Sequence, residues 1–244
     1  MSIDRRGFIA LSGSSVLGGC LGSAGSENGG ATNSEASTNS AKGTTTKPLE
    51  SAVANVSVPK NPSEYRYATM GNGKGSTVTY YGSWKCPYCA EFSLGFLNEI
   101  VTNYIKPSGL SLEFRGLAYT GGEPFLGPDA PRATRTGLAV WNLAPKSYWK
   151  YHEYIFANQP PESEQWATTD QLVAFAKQAG IKRTGELQSR IESGRYEKAV
   201  RDTAAAAQQA GVDSTPTLVI NGKTVSPLNA PEQTRRLLKQ ITKG

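Results

Sequence analysis

The chain has 244 residues, 38% of them hydrophobic and 19% charged, with 26 Lys and Arg set against 20 Asp and Glu. The net charge of +6 is spread along the sequence, with no basic cluster interleaved with aromatics, which argues against nucleic acid as a partner. There are three cysteines and one histidine, too few for a cysteine-stapled scaffold or a structural zinc site.

In chain order, residues 1–19 read as a twin-arginine lipoprotein signal peptide. Arg5 and Arg6 precede an apolar run from Phe8 to Leu17 that is too short to span a bilayer as a permanent helix. The run ends in Leu17-Gly18-Gly19-Cys20, which resembles a lipobox, with Cys20 as the lipidated residue. The expected location is therefore the extracytoplasmic face of the cell membrane, with membrane contact through the lipid anchor. Residues 20–58 are rich in Ser, Thr, Gly and Asn and cannot bury enough apolar surface to order themselves. They read as a disordered tether whose ends lie about 35 Å apart.

The remaining residues, 59–244, suit one domain with an insertion. Thr77-Val78-Thr79-Tyr80-Tyr81 is β-branched and aromatic and predicts a strand. From Pro87 the period becomes helical, with Phe92, Phe96, Leu97, Ile100, Val101, Tyr104 and Ile105 three and four apart, until Pro107-Ser108-Gly109 stops it. Leu110 to Arg115 alternates and predicts a second strand. Between about 128 and 210 only helical patterns occur, over 135–143, 147–156, 169–180, 186–193 and 196–209. Thr217-Leu218-Val219-Ile220, Asn221-Gly222 and Thr224-Val225 predict a hairpin. A last helix from Asn229 is expected to bury Leu237, Leu238 and Ile241 and to turn Arg235, Arg236, Lys239 and Lys243 to solvent.

The chemistry concentrates at Cys86-Pro87-Tyr88-Cys89, where the first strand meets the first long helix. A thiol at a helix start is stabilised as thiolate by the peptide dipoles and the unpaired amides of the first turn. A second thiol one turn on shares that face and is able to expel a bound partner. With Cys20 assigned to lipid, no cysteine remains for a structural disulfide, and so short a loop gives little stabilisation as a staple. Ala90, not histidine, follows the second cysteine, which excludes haem attachment.

The order strand, dithiol helix, strand, helical block, hairpin, helix resembles the DsbA-like branch of the thioredoxin superfamily. The motifs carrying the resemblance are Cys86-Pro87-Tyr88-Cys89 and Ser214-Thr215-Pro216-Thr217. It implies an α/β thioredoxin fold with an inserted helical domain: first half at 59–127, insertion at 128–210, second half at 211–244. It also implies a cis Pro216 opposite the dithiol, with the backbone of Thr215 free to pair with an extended client segment. Cys86 is then the exposed nucleophile and Cys89 the buried resolving thiol. Pro87 and Tyr88 tune the redox poise; Tyr88 and Trp84 are candidates for an apolar rim, and Lys85 for a charge acting on the thiol. The alternatives are core packing for Trp84 and extension into water for Lys85.

The resemblance implies a protein disulfide oxidoreductase without cofactor beyond the Cys86–Cys89 disulfide and without a metal site. Its partners are unfolded or partly folded exported proteins with cysteines, and a membrane redox partner that recycles the dithiol. An oxidase is favoured; a reductase or isomerase on the same scaffold is the alternative. A copper-binding chaperone using the two thiolates and His152 is a further rival. One departure stands out: the strand before the dithiol carries no acid, whereas many relatives bury a carboxylate there.

Overall fold

The computed structural model describes residues 50–242; the expected signal peptide, Cys20, the expected tether up to residue 49 and Lys243 lie outside them. Among the described residues, seven strands form two sheets. The main sheet has the order β1-β3-β2-β6-β7, with β1 at Ala68–Met70, β2 at Thr77–Gly82, β3 at Ser111–Gly116, β6 at Thr217–Ile220 and β7 at Lys223–Val225. β2 and β3 run parallel, and every other neighbouring pair is antiparallel. A two-stranded ribbon, β4 (Tyr119–Thr120) with β5 (Glu123–Pro124), leads out of β3.

The parallel pair requires a crossover, and the dithiol helix supplies it. α1 spans Pro87–Leu94 and α2 Phe96–Ile100; a π turn at Val101–Ile105 and a short α3 at Lys106–Ser108 follow. The single helix expected up to Ser108 is thus broken at Gly95, whose φ of −108° and ψ of −100° leave the helical region. A Cβ there would stand 2.9 Å from the Glu91 carbonyl, so a residue larger than glycine is resisted at the break. Gly109, at φ +71°, closes the crossover in the left-handed conformation that suits glycine.

Between β3 and β6 lie the helices α4 (Ala130–Leu143), α5 (Tyr148–Asn158), α6 (Thr169–Gln178), α7 (Thr184–Glu192) and α8 (Glu197–Gln209). α4 buries residues on nearly its whole circumference, the mark of a helix enclosed by protein. Its Gly137 allows close approach: a Cβ there would meet Trp84 Cζ2 at 2.7 Å. α9 (Pro231–Thr242) buries Thr234, Leu237 and Leu238, while Ile241 is only half-buried.

Two expectations are corrected here. The tether does not run to residue 58: Val53, Ala54 and Val56 are buried, and Val53 and Val56 join the main core. Three apolar side chains within four residues have enough surface to dock, and polar bonds fix them. Ser51 Oγ donates to Glu153 Oε2 at 2.8 Å, and the Val53 amide donates to Asn98 Oδ1 at 3.1 Å. Arg235 does not face solvent freely; it is held by Glu99 at 2.6 Å across to α2.

Candidate active site

The dithiol sits where β2 ends. Cys86 caps α1 and Pro87 occupies its first turn, where a missing amide hydrogen costs nothing. The Cys86 amide donates to Ser83 O, and the amides of Cys89 and Ala90 donate back to Cys86 O, tying the loop to the first turn. β6 pairs with β2 so that Thr217 faces Tyr81. That register carries the preceding loop to the sulfurs. The Thr215–Pro216 peptide is cis, as the resemblance implies, and the Cys86 thiol donates to Thr215 O at 3.4 Å.

The two thiols differ in environment. Cys89 is completely buried and accepts the Ser83 amide hydrogen at 3.4 Å. Burial, chiefly, and the neighbouring Cys86 push its thiol well above the ordinary value. Cys86 is lowered from 9.0 to about 6. Its hydrogen bond with Cys89 contributes most, burial opposes the shift, and Thr215 and the first-turn amides of Cys89 and Tyr88 assist. The Thr215 hydroxyl, buried and otherwise without a partner among the described residues, is available to donate once the sulfur is charged.

The structure brings Cys86, Pro87, Tyr88, Cys89, Thr215 and Pro216 together and takes Trp84 and Lys85 elsewhere. Cys86 is only 4% exposed, so the sulfur expected to be exposed is recessed, with Thr215 O lying against it at 3.4 Å. Trp84 is not a rim residue. It is 1% exposed and packs in the core, stacked on Phe156 at 5.4 Å and edge-on to Phe114 and His152. Lys85 neither reaches water nor lends a free charge to the thiol. Its Nζ donates to Asp129 Oδ1 at 2.5 Å and to Glu164 O at 2.9 Å, while Asp129 Oδ2 accepts the Ala167 amide. Lys85 lies in the turn after β2, and its side chain runs to Asp129 before α4 and to the Glu164 carbonyl.

Several participants were not foreseen. Ser83 holds Cys89, and its place at the strand end was the available signal. Tyr80 occupies the strand where an acid was noted to be missing; its hydroxyl shares a hydrogen bond of 3.3 Å with Ser93 Oγ in the core. Burial first, and then Cys89, raises the Tyr80 ionisation well above its ordinary value, so the phenol stays neutral. Asp129 lies 43 residues past Cys86, and nothing local marks it.

A groove of about 450 Å³ opens beside the dithiol, between Tyr88 and Glu91 of α1, Thr215 and Pro216, and Leu228 and Asn229 before α9. His152 stands apart from this opening, fully buried among aromatic rings, and burial lowers its pKa. Among the described residues, no three His, Cys, Asp or Glu side chains are grouped to hold a metal ion.

A dithiol at a strand-to-helix junction, faced by a cis proline and interrupted downstream by a helical block, defines a DsbA-like thiol–disulfide oxidoreductase. Similarity to known proteins agrees with that class. A family model described as Thioredoxin matches residues 66–240. Disulfide bond formation protein D of Bacillus subtilis (strain 168) is 23% identical over 168 residues, covering 69% of this chain and 73% of that protein. The crystal structure of oxidised BdbD from Bacillus subtilis superposes with a TM-score of 0.65 at 21% identity, over 78% of this chain and 99% of the other. Chlamydia trachomatis DsbA gives a TM-score of 0.61 at 19% identity, over 71% and 91%. The chain belongs to the thioredoxin family.

Proposed function

We propose that this chain is an extracytoplasmic oxidase, which passes the Cys86–Cys89 disulfide to cysteines of exported proteins. The observation that supports the direction is the setting of Cys86 Sγ, at the start of α1 with Thr215 against it, which favours the thiolate and lowers its value to about 6. A group that favours the thiolate favours the reduced protein, and a protein that gains stability on reduction is a stronger oxidant.

The exchange runs in two steps. A client thiolate attacks Cys86 Sγ, forming a client–Cys86 bond and breaking the Cys86–Cys89 bond. Cys89 leaves as a thiolate, receives the Ser83 amide bond and takes up a proton. A second client thiolate then attacks the client sulfur of the mixed disulfide and displaces Cys86 as a thiolate. The client loses two electrons and the dithiol gains them. Thr215 and Pro216 position the client segment, whose backbone pairs along the Thr215 loop as an added strand. Pro87 and Tyr88 tune the potential, and Cys86 and Cys89 are the catalytic residues.

Cys20 as lipid anchor, export by the twin-arginine route and recycling by a membrane redox partner belong to the same proposal. No helix among the described residues is long and apolar enough to cross a membrane. His152, sealed in the core, gives the copper-chaperone reading no support.

The test is the equilibrium reduction potential of the protein against glutathione. The expected value is clearly more oxidising than about −270 mV, the thioredoxin value. A result at or below that value overturns the oxidase direction in favour of a reductase.

A further inference from the structure

One spacing on the dithiol helix recurs elsewhere in the molecule with its ligand in place. On α2, Phe96 and Glu99 are three residues apart and so share one helix face. They hold Arg235 of α9. Its guanidinium carbon lies 4.6 Å from the Phe96 ring centroid, and its Nε and Nη2 donate to the two Glu99 oxygens at 2.7 and 2.6 Å. Tyr119 and Glu197 receive Arg201 similarly, with the guanidinium 4.4 Å from the ring centroid and its Nε 2.9 Å from the carboxylate. A planar guanidinium suits such pairs because its face stacks on the ring while its edge meets the carboxylate.

Tyr88 and Glu91 repeat the spacing on α1. Both are exposed, Tyr88 by 63%, and both line the groove that runs past Thr215 and Pro216. Glu91 is the only charged residue in that lining. Among the described residues no cation pairs with Glu91 or stacks on Tyr88. The pair therefore offers the ring and carboxylate, three residues apart, that Phe96 and Glu99 offer Arg235, although there Glu232 Oε1 also accepts from Nη1 at 2.6 Å, and it lies on the helix that Cys86 starts.

We propose that Tyr88 and Glu91 form a receptor for an arginine side chain of the client, in the segment that presents its cysteine to Cys86. The substrate class is thus an extended polypeptide with arginine near the reacting cysteine. An acidic side chain in that place meets the Glu91 carboxylate and is disfavoured. This inference rests on the oxidase reading for its client but adds the selectivity that reading lacks.

The experiment uses two-cysteine peptides that differ at one position near a cysteine: arginine, its uncharged isostere citrulline, or glutamate. The disulfide form of the full-length protein oxidises each, and kcat/KM is compared. The arginine peptide is expected to exceed the citrulline peptide by about fivefold to tenfold. The glutamate peptide is expected to fall below both. In Glu91→Gln the arginine-to-citrulline ratio should drop towards one, and salt should lower it in the wild type. Equal values for arginine and citrulline overturn the receptor and leave the oxidase standing. Failure to oxidise any peptide overturns the oxidase instead. The receptor is then decided by equilibrium binding of cysteine-to-serine versions of the same peptides, where equal Kd values for arginine and citrulline overturn it.

Discussion

The Cys86 thiol makes the stability of the reduced protein depend on pH. Its folded value, about 6, lies below its ordinary 9.0, so folding favours the thiolate. The stabilisation is complete above the unfolded value and is lost as pH falls through the folded one. Cys89 is shifted the other way; its contribution is complete below the unfolded value and declines only above it. Between pH 6 and 9 the Cys86 effect stands alone among the two thiols. The stability difference between reduced wild type and Cys86→Ser is expected to widen by about 1–2 kcal/mol from pH 6 to 8, after allowance for solvent screening at the groove. Urea unfolding at the two pH values measures it, and an unchanged difference removes the stabilised thiolate. The motif marked the two sulfurs proposed to react. It did not announce that Cys86 is recessed, because that depends on the Thr215 loop, 129 residues away, folding over the sulfur.

Between elements, the Lys85–Asp129 pair joins the strand end before α1 to the segment that opens α4. Both side chains are buried, at 1% and 4% exposure, so removing one partner leaves an uncompensated charge in the interior. Asp129→Leu is expected to destabilise the protein by about 3–5 kcal/mol, and Lys85→Met with Asp129→Leu to recover most of that loss. Denaturant unfolding of the two variants checks this; a double variant as unstable as the single one shows the pair to be more than charge compensation. Most elements were legible because their periods are strong. β2, β3, the β6–β7 hairpin and α4 to α9 follow from alternation or from spacings of three and four. The misses were short or interrupted. β1 and the β4–β5 ribbon have three and two residues per strand, too few to show a period, and Gly95 breaks a helix whose apolar spacing continues across it.

Across the whole molecule, the domain begins earlier than its composition suggests. Ser51 to Val56 packs on α5 and α2 through Val53, the Ser51–Glu153 bond and the Val53–Asn98 bond. A protein beginning at residue 59 exposes the core under Val53 and leaves Glu153 without its hydroxyl donor. Loss of the Val53 side chain alone costs about 1.5–3 kcal/mol of burial. A thermal midpoint at least several degrees below that of a chain beginning at residue 46 is expected from calorimetry. Equal midpoints restore the longer tether.

The sequence by itself determined the reaction class, the pair of sulfurs to which the reaction is assigned and the order of the main elements. Those properties reside in short spacings: a four-residue motif, a Thr-Pro before a hairpin, and apolar periods within single helices. Only the tertiary structure decided that Cys86 is recessed, that Trp84 and Lys85 turn inward, and that Tyr88 and Glu91 share an open groove. Each of those outcomes depends on which distant segment covers a given side chain, and chain-local chemistry does not encode the approach of residues a hundred positions apart.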